Sequence, residues 1–436
     1  MRNILIVNYY AQYPPRVSVL DHLYSFRRHS GQRCFYVNLA VKRIPRYLLS
    51  IPFDLIVFHT AFLSNRWHLP AFNRALKRAD VLKNSSAVKV ALPQDEFFYA
   101  EAVCEFINEF DIRHVFSVSS PSEWPKIYKT VNFEKVKFYQ VLTGYLEDTT
   151  LERINKVAGS ISNRKIDIGY RAWEAEPWLG RHGFLKTQIA ELFREQGPKK
   201  GLVTDISTRY KDTFLGDDWY KFLLRCKYTI GVEGGASVLD WDGKVRQKTQ
   251  DYMAEHPGAS FDEVEEACFP ELDGSLNLLA ISPRHLEACA TKTCQVLIEG
   301  EYNGILAAGK HYIVLKRDFS NFAEVLHLLK EDTARGEIVE NAYRDVVKSG
   351  LCNYRNFVRF VMKSSVKDTV QRDVSFVHGQ WARLIWRWTQ LTEIFSWQKI
   401  RLYWKIIALV QKLTAIVPES LKALLRRQRG INRFLI

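Results

Sequence analysis

The chain has no two cysteines at C-x-x-C spacing. Its seven cysteines, at positions 34, 104, 226, 268, 289, 294 and 352, form an odd, scattered set that suits neither a disulfide framework nor a zinc site. No run of 18 uncharged apolar residues occurs, so no segment is expected to span a bilayer. The start, Met1-Arg-Asn-Ile-Leu-Ile-Val-Asn8, has too short an apolar core for a secretory signal, and a cytoplasmic location is expected. There is no G-x-x-x-x-G-K-S/T phosphate loop, and no G-x-G-x-x-G follows the first apolar run. Nucleoside triphosphatases and Rossmann dehydrogenases are therefore poor fits. Internal repeats and low-complexity segments are also missing.

What is there is ordinary in bulk and uneven in charge. The 436 residues are 47% hydrophobic and 25% charged, a globular balance with room for two or three domains. The formal net charge is +14, but residues 381–436 hold 11 Lys and Arg against two acids, Glu393 and Glu419. That tail carries +9, and the first 380 residues are left with +5. A protein basic over its whole surface would not confine its charge this way, so the acidic partner is a question about the tail.

Apolar runs at 4–10, 53–60, 87–92 and 114–118 read as buried strands, separated by helix-like stretches at 18–29, 70–82 and 100–109. The pattern restarts with strands predicted at 165–170, 201–205, 228–232, 295–298 and 311–315. Helices are predicted over 179–195, 219–226, 261–268, 284–291 and 322–329. Continuous apolar strands alternating with helices imply parallel sheets covered on both faces. The expected fold class is α/β, with two Rossmann-like lobes facing a cleft. Polar stretches near 147–150 and 159–163 set the boundary between a first, acceptor lobe over 1–163 and a second, donor lobe over 164–365, and a basic amphipathic helical tail is expected over 366–436.

The densest polar block opens with Ser282-Pro-Arg-His-Leu-Glu287. Ser as N-cap and Pro at the first helical position start a helix, whose free N–H groups can receive a diphosphate beside Arg284. Glu287 follows one turn later, where a carboxylate can bind ribose hydroxyls. After the next strand, Glu299-Gly-Glu-Tyr-Asn-Gly304 offers two carboxylates and two glycines where a backbone must approach a sugar. The plainer reading, a capped helix, a buried strand and a solvated turn, has the edge on local features alone.

Order along the chain changes that balance. The block resembles the C-terminal lobe of GT-B glycosyltransferases, where a helix bearing a nucleotide-binding Glu precedes a turn and strand, here Ala290-Thr-Lys-Thr-Cys-Gln-Val296. More fragments follow one another over residues of about 50 to 365. They are Pro93-Gln-Asp-Glu96, Ile168-Gly-Tyr-Arg171, Leu179-Gly-Arg-His-Gly183, Gly216-Asp-Asp-Trp219 and Gly231-Val-Glu-Gly-Gly-Ala-Ser237. Ser282-Pro-Arg-His285 with Glu287, Glu299 to Gly304, His311-Tyr312 and Asp318-Phe-Ser-Asn321 complete the set. Together they resemble bacterial glycosyltransferase-like proteins from capsule and lipopolysaccharide gene clusters, of the group 1 or family 4 kind.

The resemblance implies transfer of a sugar from a nucleotide sugar to a glycan or lipid-linked oligosaccharide, with no cofactor and no metal. The donor would be held by Arg171, Glu233, Gly234, Gly235, Arg284, His285, Glu287, Glu301, Tyr302, Asn303 and Gly304. His59 and Gln94 would bind acceptor, and Asp95, Glu96 or Glu299 would act in catalysis. Each has a structural alternative: a strand-end turn at 93–96, a surface Arg171, a Gly-rich turn at 233–237, and structural histidines at 59 and 311. Asp240-Trp-Asp-Gly243 imitates a D-x-D metal motif but lies deep in the second unit, where none is expected. One departure stands out. The retaining pattern E-x7-E would put its first Glu where Leu279 stands, which leaves retaining and inverting outcomes both open and keeps a non-catalytic glycan- or partner-binding protein as the alternative.

In the tail, Arg383, Arg387, Gln390, Gln398, Arg401, Lys405 and Lys412 fall within about 80° of one another on a helix. Trp381, Ile385, Trp388, Phe395, Tyr403, Ile406, Val410, Leu413 and Val417 lie opposite, and five of the 11 tryptophans (381, 386, 388, 397 and 404) occur here. Trp belongs at the lipid–water boundary, and each Lys or Arg gains about 1 kcal/mol near anionic headgroups. An in-plane anchor at the inner face of the cytoplasmic membrane is expected, ended by Pro418 and followed by a short basic helix over 421–429. Packing on the protein's own core is the alternative. Nucleic acid is not an expected partner, since no RNA-binding motif accompanies the aromatics.

Overall fold

A computed structural model of the chain describes residues 1–161, 163–330, 332–367 and 376–416. Its first sheet contains β1 (Asn3–Asn8), β2 (Arg33–Asn38), β3 (Leu55–Phe58), β4 (Val88–Ala91), β5 (His114–Ser117) and β6 (Lys137–Gln140). They are ordered β2-β1-β3-β4-β5-β6, all parallel. Strands β1, β3, β4 and β5 are buried at every position, which is why they stand out in the sequence as mostly apolar runs, with Lys89, His114 and Ser117 buried among apolar neighbours. The edge strand β6 is half exposed and shows no such run, whereas β2 holds one in Cys34-Phe-Tyr-Val37 that went unread.

The second half holds β7 (Ile166–Arg171), β8 (Thr204–Ser207), β9 (Cys226–Gly231), β10 (Gly234–Ala236), β11 (Leu278–Ala280), β12 (Cys294–Ile298) and β13 (Ile313–Leu315). Five of them make a parallel sheet ordered β13-β12-β9-β7-β8, and β10 pairs antiparallel with β11. In each large sheet the chain winds first to one side and then to the other. The switches fall between β1 and β3 and between β7 and β9, and a crevice opens beyond the carboxyl ends of strands at such points. The helices that shape the site are α1 (Val17–His29), α2 (Gly180–Lys199), α3 (Asp217–Arg225), α4 (Lys244–Glu255), α5 (Pro283–Ala290), α6 (Tyr354–Val366) and α7 (Phe376–Ile416).

The lobes do not divide at residues 163 and 365. The helix Asp148–Ala158 already packs Ile154 with Tyr220 and Leu286 of the second lobe. Conversely, α6 returns to the first lobe, where Phe357, Val358 and Val361 meet Leu23, Val57 and Val90. Periodicity marks these segments as amphipathic helices but carries no information on which sheet covers the apolar face. The β10–β11 pair also reaches across, burying Ala236, Leu276 and Leu278 with first-lobe residues. Gly235 permits that pairing: at φ 135°, a Cβ there would stand 1.7 Å from the Leu278 carbonyl oxygen.

The tail helix packs on the protein's own body, as its alternative reading expected, and keeps part of its surface exposed. Helix α7 lies along β2, with Ala382, Ile385, Thr389, Ser396 and Ile400 buried. The indole of Trp386 donates to the Cys34 carbonyl at 3.1 Å, that of Trp397 to the Tyr24 hydroxyl at 2.8 Å, and that of Trp404 to the Ala11 carbonyl. Arg27 pairs with Glu393. Ile385 and these three tryptophans therefore serve the body, whereas Trp381 and Trp388 are about half exposed. The side chains of Lys412 and Leu413, and the whole of Val417, Pro418 and residues 421–429, lie outside the described residues.

Candidate active site

A cavity of about 770 Å³ opens between the lobes where the two switch points face each other. Its second-lobe wall is built on the start of α5. The Ser282 N–H donates to His285 Nδ1 at 3.0 Å and the His285 N–H donates back to the Ser282 carbonyl at 3.0 Å, fixing a first turn in which Pro283 has no N–H to satisfy. Arg284 lies exposed at this turn, steadied by a 2.8 Å bond from Nη1 to the Arg171 carbonyl. Lys186, half-buried on α2, enters the same cavity. Burial and then the Arg284 charge push its ammonium down to about 8, with Asp95 opposing. Two cations beside a helix N-terminus make a diphosphate-binding arrangement.

Glu287 sits one turn deeper in α5 and also lines the cavity. It accepts the Trp219 indole N–H at 2.8 Å, and burial pushes its carboxyl up to about 7. A folded-state value above the unfolded one means that this group favours folding fully below about pH 4.5. That contribution is lost as pH rises to 7, costing at most about 3 kcal/mol. Glu287→Gln, which keeps an acceptor for Trp219, is expected to raise the melting temperature at pH 8 and leave it unchanged at pH 4. Equal effects at both pH values would rule out this account.

The first-lobe wall carries Asp95 at the carboxyl end of β4, in a left-handed conformation with φ 52°. Its carboxylate accepts the Trp67 indole N–H at 3.1 Å. The peptide is held from behind by Arg66, fully buried, which donates to the carbonyls of Gln94 and Asp95, to Phe98 at 2.8 Å and to Leu63 at 3.1 Å. Around Asp95, Trp67, Phe97 and Trp178 make an aromatic surface, with the Trp67 and Phe98 rings 4.8 Å apart and Arg246 stacked on Phe98. Trp178 and Arg246 come from the second lobe, so this surface closes one side of the cleft. Flat aromatic walls with few polar groups suit the apolar faces of sugar rings.

Two parallel-sheet lobes face one cleft, and the last lobe helix crosses back onto the first. The architecture is GT-B. No family model matches the sequence, and no curated protein matches it. Among solved structures the chain is similar to Anabaena HepE in complex with UDP and glucose, at 12% identity and a TM-score of 0.47, covering 84% of this chain and 99% of that one. It is similar to alpha-glucosyltransferase in complex with UDP-glucose and DNA containing an abasic site, at 12% identity and 0.48, covering 84% and 99%. It is also similar to TarM, at 11% and 0.38, covering 73% of this chain and 56% of that one.

Of the residues expected at the site, Asp95, Gln94, Arg171, Gly234, Gly235, Arg284 and Glu287 line the GT-B cleft. Gln94 spends its amide N–H on the Thr143 carbonyl at 2.7 Å. Arg171 lines it without a free guanidinium: Nη2 pairs with Asp205 at 2.6 Å, Nη1 with two carbonyls, and the group stacks on Phe222. Its guanidinium is thus occupied by the protein itself, and its carbonyl accepts from Arg284.

Several others turn inward. Glu96 is buried and accepts from Ser117, Tyr128 and the Val118 N–H, so it is a structural carboxylate and not a catalytic one. His59 is buried against His22, with 2.7 Å between Nε2 and Nδ1, away from the cavity lining. His285 is a cap under α5, kept neutral by burial and by Arg284. His311 bonds Asp345 at 3.1 Å, and the Asp240 carboxylate caps the start of α4 by accepting from Val245 and Arg246 N–H groups.

Glu233 and the 299–304 loop form a structural unit outside the cavity lining. The Glu233 carboxylate accepts from Tyr302 N–H at 2.7 Å and Glu301 N–H at 3.3 Å. A Cβ at Gly300 would stand 2.2 Å from it, so that glycine serves a buried carboxylate, not a sugar. Tyr302 is buried with its hydroxyl on the Ile298 carbonyl, Asn303 accepts from the Ile281 N–H, and Glu299 accepts from the Arg317 N–H. Glu301 and Gly304 face solvent. The expected catalytic and donor roles of this loop are thus withdrawn. Lys186, Trp67, Trp178 and Trp219 went unread. A Lys set among the buried positions Leu185, Thr187 and Ile189 of α2 was the one available signal.

Proposed function

We propose that this protein is a glycosyltransferase that moves a sugar from a nucleotide sugar to a glycan acceptor of the kind assembled into a surface polysaccharide. One observation carries the reading: a cavity with Lys186, Arg284 and the N-terminus of α5 on one wall and Asp95 among aromatic rings on the other. The diphosphate would lie against the two cations with its ribose toward Glu287, and the sugar would project toward Asp95. The bond between the anomeric carbon and the diphosphate breaks, the acceptor oxygen bonds that carbon, and Asp95 takes the acceptor's proton. Arg284 and Lys186 stabilise the charge on the departing diphosphate, and the shared cavity supplies the orientation.

A screen of nucleotide sugars by thermal shift and turnover tests this, beginning with uridine diphosphate sugars. Asp95→Asn is expected to lower turnover about 10²- to 10⁴-fold while leaving nucleotide affinity within about threefold. Undiminished turnover would remove Asp95 from the mechanism. A second reading, a non-catalytic glycan-binding protein, is favoured by Leu279 standing where a carboxylate belongs in the resembled pattern. Stabilisation by glycans without turnover of any donor would select it.

A further inference from the structure

We infer that α7 is a docking face for an anionic lipid bilayer, on which the helix lies in the membrane plane with the first lobe above it. Projected at 100° per residue, the described part of α7 divides into three sectors about 90° to 140° apart. One is the packed sector, centred on Ala382, Thr389 and Ile400, all buried against the first lobe. The second is apolar and exposed: Leu384, Trp388, Leu391, Phe395, Leu402 and Ile406 are each between 51% and 60% accessible. The third is cationic: Arg383, Arg387, Arg401 and Lys405 are exposed within about 40° of one another, with the exposed Ile394 among them, and a further cation, Lys399, lies at the opposite margin of the apolar sector.

Isolated exposed apolar side chains are ordinary, but a continuous stripe along a helix of 41 residues is a partner surface. Charge complementarity identifies the partner. The one acid of α7, Glu393, is paired with Arg27 in the packed sector, so the exposed sectors carry cations without carboxylates. A second copy of the chain would bring like charges together, whereas anionic headgroups match the cationic flank while acyl chains receive the stripe. No described helix is long and apolar enough to cross a membrane, which agrees with an in-plane position. The helix also has a fixed direction: its far end holds the Ala11 carbonyl through Trp404, on the segment that continues to Arg16 and Ser18 at the cleft. Docking would therefore bring the Arg16–Ser18 edge of the cleft near the bilayer. That consequence for the acceptor rests on the transfer reading; the docking itself does not.

The test is sedimentation of the full chain with phosphatidylcholine vesicles, alone or containing phosphatidylglycerol. Binding is expected to the anionic vesicles, weakened by salt. Leu391→Glu combined with Leu402→Glu should reduce it by about tenfold or more, and Arg387→Glu with Lys405→Glu should flatten the salt dependence. These positions are exposed, so melting temperatures should hold. Spin-labelled lipid should quench the tryptophan fluorescence of the unaltered protein more than that of a Trp388→Phe variant. Failure to bind anionic vesicles would overturn the inference, as would binding indifferent to all four changes. So would dimers that form through this stripe while vesicles are ignored. Nucleotide affinity, measured in the same variants, is expected to stay unchanged and reports on the donor site separately.

Discussion

Lys186→Ala is expected to weaken binding of a nucleoside diphosphate about 10- to 100-fold by calorimetry, the range of one charge-assisted hydrogen bond in a partly dry site. The pH dependence is the sharper signature. With its ammonium pushed down to about 8 by burial and Arg284, Lys186 is protonated at neutral pH and loses its charge just above it. A bound diphosphate favours the charged form, so affinity should be at its plateau below about pH 8. Above that it should fall by up to tenfold per unit, with proton uptake on binding. Lys186→Arg should keep most of the affinity and abolish the fall. A pH-independent affinity in the unaltered protein would place the diphosphate elsewhere, whatever the alanine variant did.

Arg66→Met should be the most damaging single change, with about 3 to 5 kcal/mol lost in denaturant unfolding. The guanidinium is completely buried and is the shared donor to the carbonyls of Leu63, Gln94, Asp95 and Phe98. Removing it strands those acceptors in a dry interior, each costing more than the bond was worth. The same bonds hold Asp95 at a positive φ, so the variant should lose turnover even where it is still folded. A melting temperature within a few degrees of the unaltered protein would show that water or another donor replaces Arg66 there.

Most of the architecture was legible because burial on both faces leaves a plain signature: β1 and β3 are apolar runs, and β4 and β5 are mostly apolar despite Lys89, His114 and Ser117. The Ser282-Pro283 start of α5 was legible for a similar reason, since capping is local chemistry. Side-chain direction is not local. Arg171 and Arg284 look alike as cations near strand ends, yet one is consumed by Asp205 and the other is open to the cleft. The 299–304 loop has the composition of a sugar site and is nonetheless tied to Glu233, 66 or more residues away in sequence.

The sequence by itself determined the α/β class, the two-lobed plan, the helix start at Ser282, and the confinement of charge to the tail, because each follows from short-range pattern or simple counting. Tertiary structure alone decided which carboxylate faces the cavity, since Asp95 and Glu96 are neighbours and one points out while the other is locked to Ser117 and Tyr128. It alone brought Lys186 to Arg284, 98 positions apart, and split the tail helix into packed, apolar and cationic sectors. Those outcomes depend on which surfaces meet, and a one-dimensional pattern records the surfaces without recording the meeting.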